Sequence, residues 1–201
     1  MYWRLSLSEF SPDIEAQPEI KPKGTDVKRF ILDLLETLIL SVILFLVINA
    51  VSARVRVDGF SMRPTLEDGE FILVNRLAYK LGVPKRGEII VFRSPVTPDE
   101  DLIKRIIGLP GDEVVIREGR VYINGDVLEE PYIAASPIYS GTWQVVDGYL
   151  FVLGDNRNDS SDSHSWGLVP LPNVVGRSIL IYWPFAEWGI LNHNIITAVV
   201  P

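Results

Sequence analysis

The sequence predicts a mainly β protein preceded by one membrane-spanning helix, and three observations carry that prediction. Residues 37–53, TLILSVILFLVINAVSA, run for 17 positions without a charge, and Ile31, Leu32, Leu34 and Leu35 extend the apolar stretch past Asp33 and Glu36. That length just crosses a bilayer. After residue 54 the chain breaks into short runs rich in Val, Ile and Phe, such as EFILVNRL, GEIIVFRS, DLIKRIIG, YLFVLGD and RSILIYW, punctuated by Gly, Pro and Asp. These are antiparallel strands by composition and spacing. Between two of them, IREGRVYINGDVLEE carries Glu118-Gly119 and Asn124-Gly125, dipeptides that close hairpins and so predict a meander.

Taken in order, residues 1–29 mix charges with Pro18, Pro22 and Gly24 and show no apolar period, which predicts a flexible leader. Residues 30–53 form the span. A segment apolar around its whole circumference, ahead of a strand-rich domain, has no soluble partner to cover it. Lys21, Lys23, Lys28 and Arg29 precede the run, while Arg54, Arg56 and Arg63 follow it. Four cations against three favour a cytoplasmic N-terminus and an extracytoplasmic domain over 54–201. A cleaved secretory signal is the rival reading, with VSA at 51–53 as the small-residue cutting point. Residues 76–82, RLAYKLG, suit one short helical turn, and the end, WGILNHNIITAVVP, is too short for a second span.

Composition removes several classes of function. A formal charge of −7, with 22% charged residues and no basic stripe, argues against nucleic acid as a partner. Zero cysteines exclude a thiol nucleophile, a disulfide framework and a thiolate metal site. With only His164 and His193 present, histidine-rich ligand sets are missing. Neither a metal nor another cofactor is expected.

Three stretches carry chemistry. The first, VDGFSMRPTL at 57–66, sets Ser61 just past the span. A serine hydroxyl is a poor nucleophile until a neighbouring base takes its proton. The second, LIKRIIG, interrupts an apolar strand with Lys104 and Arg105. In an extended strand these side chains point to opposite faces, so one of the two cations faces inward. A lysine desolvated among Ile103 and Ile106 loses its charge more readily than the free side chain, whose pKa is about 10.4, and becomes able to accept a proton. On the solvent face it merely solubilises. The third is GDNRNDSSDSHSWG at 154–167. It fails as a calcium loop: Arg157 takes the third ligand place, Ser160 replaces the glycine, and Trp166 sits where the bidentate glutamate belongs. His164 beside Asp162 leaves a Ser/His/Asp triad open, since triads are recognised by geometry. His193, in LNHN, reads as a surface histidine.

The ordered set DGFSMRPTL, LIKRIIGLPGD with Lys104 43 residues beyond Ser61, and GDNRNDSSDSHSWG resembles the type I signal peptidases over roughly residues 30–183. The resemblance implies a membrane-anchored serine endopeptidase with a Ser/Lys dyad, which removes signal peptides from exported preproteins on the outer side of the plasma membrane. It implies Ser61 as nucleophile and Lys104 as general base, with the Ser61 N–H in the oxyanion hole and Met62 at the substrate groove. Ser160 matches the serine that orients the lysine amine. Asp162 matches a structural aspartate, with His164 as its partner. Val57, Leu66, Val91 and Ile103 match the walls of shallow pockets for small side chains. A second oxyanion donor used by some members is a serine two positions before the nucleophile; here that position is Gly59. The implied fold is a signal-peptidase-like antiparallel β core with a small β subdomain near 112–148, acting as a monomer at the lipid bilayer. Two other readings are a self-cleaving Ser/Lys repressor-type protease and a non-catalytic anchored β module.

Overall fold

The computed structural model describes residues 27–193 and 196–197. Residues 1–26 of the predicted leader (1–29), 194–195 and 198–201 lie outside the described residues, and residues 27–29 already belong to the first helix. The chain divides into two compact units, one ending at Ile43 and the other starting at Leu44.

Helix α1 covers Val27–Val51, with a mean hydropathy of 2.6 over its most apolar window. At 1.5 Å per residue its length is about 37 Å, enough to cross a membrane. Its few hydroxyls are satisfied internally: Thr37 Oγ1 donates to the Asp33 carbonyl, Ser41 Oγ to Thr37, and Ser52 Oγ to Ile48. An apolar medium requires that of any polar group it surrounds. The helix stops two residues before the predicted end, because Ser52 and Ala53 already pair with Asn75 and Val74. The small-residue cutting point at 51–53 therefore runs into a paired strand.

The second unit is antiparallel β. The large sheet contains β1 (Ser52–Arg56), β2 (Phe71–Asn75), β3 (Ile89–Arg93), β4 (Asp101–Gly108), β9 (Tyr149–Leu153), β10 (Val169–Pro170), β11 (Val174–Trp183) and β12 (Gly189–Ile190). Its order is β1-β2-β11-β3-β4-β9-β10, with β12 on β11. The small sheet contains β5 (Glu113–Arg117), β6 (Arg120–Ile123), β7 (Asp126–Glu129), β8 (Gly141–Gln144) and β13 (Ile196–Thr197), in the order β13-β7-β6-β5-β8. Short helices α2 (Ala78–Leu81) and α3 (Ser163–Trp166) lie in connections.

The chain leaves the large sheet after β4 and returns at β9, yet β4 and β9 pair directly, Arg105 opposite Leu153. The strand that carries Lys104 is thus held on both edges, by β3 and β9. The two predicted hairpin turns form: Glu118, Gly119, Asn124 and Gly125 all have positive φ, and each pair makes a two-residue loop, between Arg117 and Arg120 and between Ile123 and Asp126. Both central residues with φ > 0 is the signature of the turn that follows strand twist. Three apolar clusters fill the fold. One joins Val57, Met62 and Leu66 to Val91 and Ile103. A second packs the small sheet onto Ile107 and Phe151. The third lies around Ile90, Phe92 and Ile106.

Candidate active site

Ser61 lies in the loop between β1 and β2, and that loop is closed at its base. The Val57 N–H donates to the Glu70 carbonyl at 2.7 Å, and the Gly69 N–H returns to Val57 O at 2.9 Å. Gly59 sits at φ +96°, a region that strains any residue with a Cβ. Its N–H is held by Asp68 Oδ1 at 2.8 Å. From the other side, Asn156 clamps the serine: its backbone N–H donates to Ser61 O at 3.0 Å, and its Nδ2 donates to Phe60 O at 3.1 Å. The Ser61 N–H has no acceptor among the described residues, so it remains available as a donor.

Lys104 Nζ lies 2.7 Å from Ser61 Oγ. Only 3% of the lysine is exposed. Burial lowers its pKa to about 8, against the opposing pull of the Asp162 and Asp155 carboxylates. A large fraction of the amine is therefore neutral just above physiological pH, and a neutral amine can accept the hydroxyl proton.

Strand alternation predicts one inward cation, but both are buried: Arg105 is 1% exposed. The large sheet is covered on both faces of β4, so the side opposite the lysine needs its own counter-ion. Asp155 supplies it, accepting from Arg105 Nε at 2.8 Å and Nη2 at 2.6 Å. Thr65 Oγ1 donates to the same carboxylate, which ties the serine loop to the lysine strand. The guanidinium also stacks over the Tyr132 ring at 4.1 Å.

The 154–167 loop closes the site. The Gly154 N–H donates to Asp162 Oδ2 at 2.9 Å, and its carbonyl accepts from Arg157 Nε at 3.0 Å. A Cβ at Gly154 would collide with the Ser61 carbonyl oxygen and the Ser160 hydroxyl, so only glycine lets these loop segments approach this closely. The other Asp162 oxygen lies 2.7 Å from His164 Nδ1, and the imidazole stacks on Tyr139 with centroids 3.9 Å apart. His164 is thus committed to Asp162 and Tyr139, and the hydroxyl of Ser61 meets Lys104 instead. Ser160 packs beside Gly154, but its hydroxyl is buried without a hydrogen-bond partner and makes no bond to Lys104. Val57, Met62, Leu66, Val91 and Ile103 gather in one buried cluster. Leu66 and Val91 are wholly covered, while Ile103 keeps 9% of its surface.

Sequence reasoning missed the charged frame of Asp155, Arg105, Arg157 and Glu130. The signal available was that a loop opening on Gly-Asp-Asn-Arg directly follows an apolar strand, which places two charges where burial is expected. His193 is not a surface residue: its Nδ1 accepts from the Ile89 N–H at 3.1 Å, and burial lowers its pKa, as do nearby Arg177 and Arg105.

The family model described as "Signal peptidase, peptidase S26" matches residues 31–183. The chain belongs to the signal peptidase family. It is 42% identical over 182 residues to "Probable signal peptidase I-2" of Synechocystis sp. (strain ATCC 27184 / PCC 6803 / Kazusa), covering 87% of this chain and 83% of that one. It is also 42% identical to "Signal peptidase I" of Leptolyngbya laminosa, covering 79% and 82%. Against "Signal peptidase IB" of Staphylococcus aureus, identity is 36% over 172 residues, with 76% and 87% covered. Membership makes this chain a serine endopeptidase of the signal peptidase I type, a hydrolase acting on signal-peptide-bearing preproteins. Cutting a peptide bond at a serine requires an activated hydroxyl, a proton acceptor and a donor for the developing oxyanion. Ser61 Oγ with Lys104 Nζ 2.7 Å away, and a Ser61 N–H without an acceptor among the described residues, are chemically able to meet these three needs.

Proposed function

We propose that this signal peptidase cleaves exported preproteins after small residues, with Ser61 as nucleophile and Lys104 as general base. The observation that carries the reading is the 2.7 Å approach of a buried amine to the serine hydroxyl. Neutral Lys104 takes the Oγ proton as Oγ attacks the scissile carbonyl carbon. The oxyanion that forms faces the Ser61 N–H. Collapse breaks the C–N bond, and the Lys104 ammonium gives its proton to the departing amine, leaving an acyl ester on Ser61. Water then attacks the ester carbonyl, its proton passing to Lys104; collapse breaks the C–Oγ bond, the Lys104 ammonium returns that proton to Ser61 Oγ, and the signal peptide leaves with a free carboxylate. Gly59 supplies no hydroxyl to the oxyanion, so the backbone donor acts without the side-chain donor found in some relatives.

Specificity for small side chains is assigned to the apolar cluster of Val57, Met62, Leu66, Val91 and Ile103, which is packed so tightly that none keeps more than 9% of its surface. A shallow wall rejects bulk sterically, whereas one methylene changes binding by only about 1 to 3 kcal/mol. Ser160 acts by packing against Gly154 and the Ser61 backbone. Asp162 and His164 support the loop.

In this reading α1 spans the plasma membrane, residues 54–201 face the extracytoplasmic side, and the enzyme works as a monomer. Anchoring confines enzyme and substrate to one plane and raises their effective concentration. The exposed Trp183, Phe185 and Trp188 line an apolar surface with Phe71 that suits the lipid interface.

The deciding experiment is cleavage of a signal-bearing preprotein in detergent by the wild type, Ser61→Ala and Lys104→Met, with the product N-terminus sequenced. Cutting after a small residue by the wild type alone supports the dyad. An active Lys104→Met with a dead His164→Ala would move the base to histidine and overturn it.

A further inference from the structure

We propose that a cavity at the end of α1 binds the headgroup of an anionic phospholipid, through Arg76 and Lys80. The cavity has a volume of about 390 Å³ and carries these two cations beside an apolar wall that includes Ala50, Leu171, Val174 and Val175. Among the described residues no carboxylate lines it. Tyr79 also borders it, but the Tyr79 hydroxyl is already spent on Glu88 Oε2 at 2.8 Å.

The two cations differ from many others in the fold. Arg63, Arg86, Arg105, Arg157 and Arg177 each pair with a carboxylate. Arg76 and Lys80 are exposed and form no ion pair among the described residues. Both come from the segment that follows β2, where Arg76 is pinned by its backbone: its N–H donates to the Val51 carbonyl, the last residue of α1, at 3.0 Å.

That bond sets the depth of the cavity. Ala50 belongs to the last turn of α1, so a helix that spans a bilayer brings this lining to the level where the chain leaves the hydrocarbon. Phosphates lie at that level, and long basic side chains near the end of a span reach toward them. The apolar wall suits the glycerol and first methylenes of the same lipid. The formal charge of −7 repels the chain as a whole from an anionic surface, so a preference for such lipid has to come from a local site. The proposal rests on α1 spanning the membrane.

The test uses the full chain in non-ionic detergent, offered equal phosphatidylglycerol and phosphatidylcholine, with retained lipids counted by native mass spectrometry. Wild type retains phosphatidylglycerol in preference. Arg76→Gln/Lys80→Gln loses that preference by on the order of twenty-fold, about five-fold for each cation. The conservative pair Arg76→Lys/Lys80→Arg keeps it, and Arg117→Gln/Arg120→Gln, exposed on the small sheet and outside the cavity lining, leaves it unchanged. Equal retention of the two lipids by the wild type, or an unchanged preference in the Gln pair, overturns the proposal. Displacement of the lipid by millimolar inorganic phosphate overturns it in favour of a free-anion site. Alkaline carbonate extraction of the chain from vesicles separates the two failures: an extracted chain sinks the spanning reading, whereas a retained chain without lipid preference sinks only the headgroup site.

Discussion

Arg157 and Glu130 form a two-pronged buried ion pair, Nη1 to Oε2 at 2.8 Å and Nη2 to Oε1 at 2.7 Å, that joins the segment after β7 to the loop behind Ser61. The same guanidinium holds the Gly154 carbonyl through Nε, and Gly154 in turn packs against the Ser61 backbone. The small sheet is thereby linked to the Ser61 loop through one arginine.

Removing one partner of such a pair strands the other charge in the interior. Glu130→Ala is expected to destabilise the fold by about 3 to 5 kcal/mol. Urea unfolding at pH 7 measures it. A double cycle with Arg157→Met should recover part of that loss, and a fully additive result would show that the pair is not coupled.

The lowered pKa of Lys104 sets the pH response. Rate should rise with pH through about 8 as the amine loses its proton, then level off. Asp162 and Asp155 hold the lysine pKa up. Asp162→Asn should therefore move the acid limb of the kcat/KM profile to lower pH, whatever it does to the plateau. A limb that stays in place contradicts lysine as the titrating base.

The same shift has a stability consequence. The lysine pKa falls from 10.5 unfolded to about 8 folded, so between these values the unfolded chain binds more protons and stability rises with pH. Below pH 8 the folded state carries the full cost of burying the charge. Lys104→Met, expected to be inactive in cleavage, should be more stable than wild type at pH 7 by about 2 kcal/mol, and the difference should shrink toward pH 10.5. Paired thermal melts at pH 7 and pH 10 test this.

Two glycines separate space from conformation. Gly154→Ala meets the Ser61 carbonyl and Ser160, so the serine loop must shift, and cleavage should fall by at least about a hundred-fold. Gly59→Ala meets nothing within 4 Å but needs φ +96°, which costs about 1 kcal/mol or somewhat more. It should lower the melting temperature more than it lowers kcat.

His164 donates nothing to Ser61. His164→Ala removes a stacking partner of Tyr139 and one of the groups on Asp162, but leaves the Gly154 N–H on the other carboxylate oxygen. Cleavage should drop less than about ten-fold, far from the effect of losing a catalytic base. A preprotein assay across pH 6 to 9 distinguishes the two.

Local chemistry made much of this protein legible from sequence alone. The 17-residue uncharged run specified a helix long enough to cross a membrane, because backbone groups in an apolar medium must bond within their own segment. Glu118-Gly119 and Asn124-Gly125 specified two hairpin turns, because those residues tolerate positive φ. The three ordered motifs identified Ser61 and Lys104 as partners worth bringing together. Tertiary structure decided the rest. Alternation along β4 placed Lys104 and Arg105 on opposite faces, but only the stacking of other elements on both faces buried the pair and called in Asp155 as counter-ion. His164 and Asp162 are neighbours in sequence and their side chains lie 2.7 Å apart in the fold, yet adjacency could not say that Ser61 would meet a lysine instead. The end of α1 moved inward by two residues because pairing with β2 satisfies Ser52 and Ala53 as a strand. Each of these outcomes depends on what arrives from a distant part of the chain, and burial, which sets the pKa of Lys104, exists only once those parts have met.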